Sequence, residues 1–272
     1  MAGHRRTSSE DNPAIGALLQ SPDPTTAATE DYTPLRPRTP VRDDASVKHI
    51  ADRHLANYFA TIHSLIPVLH EGAFRTLYYN FWSQVNTQAQ SPRTDTHSRK
   101  LQKITAPLVY SVLALGALYE SGYNDHVYWA REWFGKARDG INNAIEECCF
   151  EMCLAVYFVV RPLQIPSDVK ASYCQHVIKP NLAYNHLGLA IRLAYSVGLN
   201  RSSGVVPTPE AWPGVSRAVV TEMCKRFWWQ MYTLEVEIAL DSGRPICIRN
   251  SDIDVEWPLE VDDDVWLESD KC

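Results

Sequence analysis

The chain has 272 residues, of which 45% are hydrophobic and 21% are charged, a composition typical of a globular protein with a sizeable core. The formal net charge is −6, and residues 255–272 carry all of it, with seven acidic residues and one lysine. The rest of the sequence is neutral and offers no basic face for nucleic-acid phosphates. Composition therefore argues against a chain that binds DNA by itself.

The cysteines and the apolar runs indicate a reducing compartment and no membrane span. The seven cysteines are an odd number and lie mostly in apolar segments, which disfavours a disulfide framework. The N-terminus has no apolar run of the signal-peptide type. The longest uncharged apolar run, residues 153–160, is too short to cross a bilayer. We expect no membrane partner.

Residues 1–45 differ in composition from the rest of the chain. They hold six prolines and many Ser and Thr, but few large apolar side chains. Such a segment cannot bury enough apolar surface to offset its ordering entropy. We therefore predict that residues 1–45 are a disordered tail.

Apolar residues at steps of three and four then predict a series of helices. The first runs from its N-cap Ser46 to about residue 64, and the second spans residues 71–87. After a polar loop at 87–99, the third spans residues 101–120 and contains Gly116. A glycine inside a helix costs about 1 kcal/mol relative to alanine, so we predict a close contact with another helix there.

The next two predicted helices are marked by glycine and proline. A helix at 124–139 is interrupted by Gly140 and resumes at 142–160. Pro180 opens the following helix at a position that tolerates proline, and Gly198 ends it. Together the patterns predict an all-α fold, a single domain of packed antiparallel helices.

The last predicted helix has the widest apolar surface. One stripe consists of Val220, Met223, Phe227, Met231, Leu234 and Ile238, and a second of Trp229, Tyr232, Val236 and Leu240. We predict that both stripes are buried. Gly243 then provides a left-handed stop, and Pro245 prevents the helix from restarting. Residues 246–258 are predicted to run extended across the core surface.

Residues 222–258 resemble the signature of the fungal transcription factor regulatory domain, also called the middle homology region. In that family an acid, a basic pair, a tryptophan pair, a second acid, Gly-Arg-Pro, spaced Asp residues and a closing Pro follow one another. This chain has, in that order, Glu222, Lys225-Arg226, Trp228-Trp229, Glu235, Gly243-Arg244-Pro245, Asp252, Asp254 and Pro258. The family usually has Asp where this chain has Glu235. Shorter stretches at 58–74, 113–118 and 188–200 are also similar to family blocks.

The resemblance implies a regulator of transcription that acts in the nucleus, with a regulatory domain at residues 46–258. Family members bind DNA through a six-cysteine zinc cluster, but no cysteine precedes Cys148 here. We therefore expect no zinc or other cofactor in this chain. The acidic residues 259–272 are expected to be an interrupted continuation of the domain, with an activation segment as the alternative. Implied partners are proteins of the transcription machinery or a regulator, and a small-molecule effector.

The same resemblance marks eight residues as structural or regulatory positions: Glu222, Arg226, Trp228, Trp229, Glu235, Gly243, Arg244 and Pro245. Arg226, Trp228 and Trp229 could line an effector pocket, although packing in the core is the favoured interpretation. Arg244 is expected to bond the last helix carbonyls or an acid such as Glu235 or Asp241.

Motifs of enzyme chemistry are missing from the sequence. It has no glycine-rich nucleotide loop and no metalloprotease His pair. Gly214-Val215-Ser216 resembles a nucleophile elbow but lacks the preceding strand and the final glycine. His63 and His70 are predicted to pack at helix ends, and Cys149 and Cys153 to be buried hydrophobes, not metal ligands. We expect no catalytic, metal or cofactor site; the alternatives are a stand-alone interaction or inhibitor protein and, more remotely, a helical enzyme.

Overall fold

The structure is a computed structural model that describes residues 44–90, 96–121, 125–160, 180–202, 209–261 and 263. All of these residues belong to one compact unit, residues 42–272. The predicted disordered tail, apart from its last two residues, lies outside the described residues, as does most of the acidic segment 259–272. The domain limits 46–258 therefore stay a prediction.

The described residues form seven α-helices: α1 Asp44–Asn57, α2 Glu71–Gln90, α3 Thr96–Leu118, α4 His126–Ala144, α5 Phe150–Val160, α6 Pro180–Val197 and α7 Arg217–Ser242. A π-helical turn at Tyr58–Ile62 continues α1. Short 3₁₀ turns occur at Pro209–Ala211 and Asn250–Asp252. No described residue lies in a β-strand, and the prediction of an all-α fold is confirmed.

Helices α3 and α5 form the centre of this unit. Helix α3 packs against α1, α2, α4 and α5, and α5 also contacts α6 and α7. Every side chain of α5 is buried, because ten of its eleven residues are apolar and only Glu151 is charged. Helix α3 is long and apolar enough to cross a membrane, but 72% of its most apolar window is buried inside the unit. Its hydrophobicity is therefore used in packing against neighbouring helices.

Gly116 lies where α3 crosses α1, and the predicted close contact is confirmed. A Cβ atom at this position would lie 2.0 Å from the backbone oxygen of His54. Asn57 Nδ2 also donates a hydrogen bond to the Gly116 carbonyl at 2.7 Å. The two helix backbones can come this close only because residue 116 has no side chain.

The predicted interruption at Gly140 is wrong, because α4 continues through it to Ala144. A Cβ at Gly140 would lie 2.8 Å from Cγ of Pro107 in α3. The glycine therefore allows two helices to approach each other and does not end a helix. The break comes at residues 145–149, where Glu146 and Glu147 would be unfavourable at the negative end of a helix.

Other predicted helix boundaries are partly correct. Ser46 lies inside α1 and does not cap it, because α1 already begins at Asp44. Helix α2 extends to Gln90, so the predicted loop at 87–99 is too long. Helix α6 begins at Pro180 as predicted. It is followed by Gly198 with φ 81°, the left-handed stop expected there.

The first predicted stripe of α7 is buried along its whole length, but the second is wrong. Leu240 is 78% exposed, and Trp229, Tyr232 and Val236 are only partly buried. The second buried stripe consists of Cys224, Trp228, Glu235 and Ala239. The Trp229 face is only partly buried because a non-helical segment, which includes Glu256 and Trp257, covers it.

Candidate functional site

After α7 the chain turns back and runs beside that helix. Gly243 has φ 65°, and its N–H donates to the Ala239 carbonyl, which ends α7 as predicted. Residues 246–261, here called the strap, are extended apart from the turn at Asn250–Asp252. The strap begins beside the C-terminal part of α7 and ends beside its N-terminal part, as the contacts below show.

The beginning of the strap is held by the carboxylate of Glu235, which is 2% exposed. Its Oε1 accepts a hydrogen bond from the Cys247 N–H at 2.6 Å, and its Oε2 accepts one from the Ile248 N–H at 3.2 Å. Both carboxylate oxygens are therefore satisfied by backbone donors. Hydrogen bonds to a charged group are stronger than neutral ones, so this contact fixes the strap firmly to α7.

The end of the strap is held by a second buried carboxylate, Glu222. Its Oε1 accepts a hydrogen bond from the Leu259 N–H at 2.7 Å and lies 3.7 Å from Arg226 Nε. Arg226 Nη1 in turn pairs with Asp263 Oδ1 at 2.5 Å. Glu222 and Arg226, which lie four residues apart on α7, thus pair with each other, and Arg226 also holds the chain that follows the strap.

Between these two anchors the strap packs on the exposed face of α7. The rings of Trp229 and Trp257 stack with centroids 3.7 Å apart and planes at 13°. Trp229 Nε1 donates to the Glu256 carbonyl at 3.0 Å, and Lys225 pairs with the Glu256 carboxylate at 2.6 Å. The ammonium of Lys225 lowers the pKa of Glu256 below its ordinary value.

Asn200, just after α6, binds the middle of the strap. Its Nδ2 donates to the Asp252 carbonyl at 2.7 Å, and its own carbonyl accepts from the N–H groups of Asp254 and Val255 at 2.8 and 3.0 Å. Sequence reasoning included Asn200 in a family block but assigned it no role. Its partners are backbone groups more than 50 residues away, which no periodic pattern reports.

A groove with a volume of about 970 Å³ lies between the turn at residues 63–72, the middle of α7 and the end of the strap. Arg226, Trp229, Leu259 and Asp263 are among its lining residues. Glu222 accepts the hydrogen bond from the backbone N–H of Leu259, and Arg226 pairs with the carboxylate of Asp263. Anything that enters the groove therefore meets the anchored end of the strap.

Comparison with known proteins finds a matching family model for part of the chain. A model of the fungal specific transcription factor domain matches residues 171–272, which include α6, α7 and the strap. Over these residues the chain is similar to the fungal specific transcription factor domain.

Three fungal relatives extend the match toward the N-terminus. Proteins of Saccharomyces cerevisiae and Schizosaccharomyces pombe, both named as transcriptional regulatory proteins, are 31% identical over 173 residues and 25% identical over 226 residues. These alignments cover 59% and 81% of this chain, but 20% and 25% of the relatives. The transcriptional activator protein acu-15 of Neurospora crassa is 24% identical over 217 residues, 79% of this chain and 20% of that protein. The chain thus spans about a fifth to a quarter of these relatives. No solved structure matches.

Within the transcription factor domain the two signature tryptophans have different surroundings. Trp228 is fully buried, with its ring edge-on to Tyr195 at 5.4 Å, and it does not line the groove. Trp229 and Arg226 do line it. Of the three residues interpreted as packed in the core, Trp228 is in the core, whereas Arg226 and Trp229 lie at the groove.

The Gly243-Arg244-Pro245 signature of the transcription factor domain contacts α6. Arg244 is hydrogen-bonded to Asn181, and its guanidinium lies 4.7 Å from the ring centroid of Tyr184. The Tyr184 hydroxyl donates to the Pro245 carbonyl at 3.4 Å. The partners expected for Arg244 were the last carbonyls or an acid of α7, whereas the contacts with Asn181 and Tyr184 are with α6.

The histidines near the groove have structural contacts. His70 Nδ1 accepts a hydrogen bond from the Ala73 N–H at 3.2 Å and so caps α2, a helix-end role as predicted. His63 Nε2 lies 3.7 Å from Asp263 Oδ2. Burial lowers the pKa of His63, against the opposing effect of Asp263.

Besides the histidines, the residues considered above as metal ligands or as a nucleophile are Cys149, Cys153 and Ser216. Among the described residues no group of three His, Cys, Asp or Glu side chains could hold a metal ion. Burial raises the pKa of the Cys149 and Cys153 thiols, which disfavours the thiolate form that metals bind. Ser216 Oγ accepts from the Val219 N–H at 3.4 Å as the N-cap of α7. Its position before a helix, with no strand in front, differs from a nucleophile elbow.

Proposed function

We propose that this chain is the regulatory part of a fungal transcription factor and that it acts in the nucleus. The observation that carries the proposal is the signature segment itself. Two buried carboxylates, Glu222 and Glu235, hold the two ends of the strap on α7. The matched relatives are named for the regulation of transcription, not for a chemical reaction.

The proposed mechanism is transmission of a binding event through the strap. A partner or effector in the groove contacts Leu259 and Asp263, which are linked through Glu222 and Arg226 to α7. Binding that favours one position of these residues shifts the strap relative to α7. The signal passes to parts of the transcription factor outside this chain. Zinc and specific DNA binding are assigned to such parts, because no cysteine precedes Cys148.

A reporter assay tests this proposal. The chain is fused to a heterologous sequence-specific DNA-binding domain in a fungal cell, and transcription is compared with that of the DNA-binding domain alone. We expect the fusion to change the level of reporter transcription. The Glu222→Gln substitution should change that level again, because the amide removes the charge that faces Arg226. Glu237→Gln, at an exposed position of α7, serves as the matched control. Equal transcription with and without the fused chain would contradict the proposal.

A further inference from the structure

Both walls of the groove expose aliphatic side chains. On the strap, Leu259 and Val261 are 56% and 42% exposed. On the opposite wall the lining residue Pro67 is exposed. Single exposed apolar residues are ordinary, but several around one groove mark a surface that binds another molecule.

The same groove has an acidic edge. The described residues 250–261 and 263 contain five Asp or Glu and no Lys, Arg or His. Within the described part of the chain, the Lys and Arg side chains that pair with this stretch are Lys225, with Glu256, and Arg226, which is shared between Glu222 and Asp263. Glu260 lines the groove, is exposed, and forms no ion pair with any of the described residues. The charge of this edge is complementary to a cationic ligand.

We infer that the groove docks a short basic and apolar peptide segment of a partner protein. Aliphatic side chains of the peptide cover Pro67, Leu259 and Val261, and its Lys or Arg side chains face Glu260 and the acidic strap. The volume of about 970 Å³ is at the upper end of small-molecule pockets and accommodates several side chains of a peptide. The inference rests on the proposed function only in assuming that the domain acts through other proteins.

The test uses a fluorescein-labelled peptide built from Lys-Leu-Leu-Lys repeats and the full chain, with binding measured by fluorescence anisotropy at physiological salt. A second peptide has glutamate in place of every lysine. The groove variants are Leu259→Ser and Glu260→Lys. Their matched controls are Leu240→Ser and Glu237→Lys, which change exposed residues of α7 outside the groove lining. Circular dichroism and thermal melting verify that all four variants fold.

We expect the lysine peptide to bind, and each groove variant to weaken its Kd about tenfold while the controls stay within about twofold. The inference is overturned if the groove variants bind like the controls, if the glutamate peptide binds as tightly, or if neither peptide binds. The peptide measurement does not involve transcription. Peptide binding with a silent reporter therefore rejects the proposed function alone, and an active reporter without groove-dependent binding rejects this inference alone.

Discussion

Gly116 shows how a single residue can determine the distance between two helices. Its missing side chain leaves room for the backbone carbonyl of His54, and its own carbonyl accepts the hydrogen bond from Asn57. The obstacle to a larger residue is backbone of α1, which cannot rotate away as a flexible side chain can. The energetic effect of replacing this glycine should therefore be large.

We predict that Gly116→Ala lowers the free energy of unfolding by about 3 kcal/mol, because overpacking forces α1 and α3 apart. The matched control is Gly135→Ala in α4, where an added Cβ meets no atom within 4 Å. That change should stabilise the protein by about 0.5–1 kcal/mol, since alanine is the better helix former. Urea denaturation measures the free energy of unfolding of both variants. Equal effects of the two variants would show that the helix crossing is not tightly packed.

His54 is a buried titratable group beside this crossing. Trp133 Nε1 donates to His54 Nδ1 at 3.0 Å, which places the proton of the neutral ring on Nε2, 3.3 Å from Glu120 Oε2. Burial, reinforced by the charge of Arg53, lowers the pKa of His54 to about 4. The neutral form is therefore the one that the folded protein accommodates.

This shift predicts a pH dependence of stability. Between pH about 6.5 and pH about 4 the unfolded state binds a proton at His54 that the folded state does not, so stability falls as the pH falls, by about 3 kcal/mol in total. Above pH about 6.5 the residue is neutral in both states and has no effect. In urea titrations, His54→Asn should flatten the dependence in this window, whereas His49→Asn, exposed on the same helix, should not. Parallel curves for His54→Asn and the unchanged chain would refute this role.

At the scale of elements, the strap is an irregular segment that α7 organises. Regular helices satisfy their backbone groups internally, whereas an extended segment beside a helix needs external partners. Glu235, Glu222 and Asn200 provide them through buried or half-buried side-chain and backbone groups. Loss of one such partner leaves buried N–H donors without an acceptor.

We predict that Glu235→Gln lowers the free energy of unfolding by about 2 kcal/mol, because one of its two N–H partners then faces an amide NH₂. Hydrogen exchange at the Cys247 and Ile248 amides should accelerate in the variant, while exchange in the centre of α5 follows only the global stability. Glu237→Gln, on the exposed side of α7, is the control and should change neither quantity. Unchanged exchange at both amides in Glu235→Gln would mean that the carboxylate does not hold the strap.

Comparison of the elements shows what the sequence could predict. The stripe from Val220 to Ile238 was predictable because periodicity reports directly which helix face is buried. The role of Gly140 was not, because a glycine that ends a helix and one that admits a neighbour look alike until the neighbour, here Pro107, is known. The strap contacts join residues far apart in the chain. The family signature marked Glu222 and Glu235. Only the structure shows that their carboxylates accept hydrogen bonds from backbone N–H groups of the strap and that Asn200 also binds the strap.

At the scale of the whole molecule, the distribution of charge argues against DNA binding by this chain. Outside residues 255–272 the chain is neutral, and the cations nearest the acidic strap, Lys225 and Arg226, are paired with carboxylates. Phosphate contacts from unpaired Lys and Arg supply most of the affinity of a DNA-binding protein, and a negative edge repels the duplex. The transcription factor domain thus has electrostatics suited to other partners.

We therefore predict that the purified chain shows no sequence-selective retention of duplex DNA. The measurement is a gel shift with a pool of random duplex sequences, recovered and sequenced, at low and at physiological salt. Any retention at low salt should be lost at the higher ionic strength without enrichment of a motif, because non-specific binding is driven by counterion release, which becomes less favourable as the salt concentration rises. A fusion of the chain to an unrelated DNA-binding domain is the positive control. Recovery of one motif by the unfused chain would assign specific DNA contacts to residues that we place in packing and in the groove.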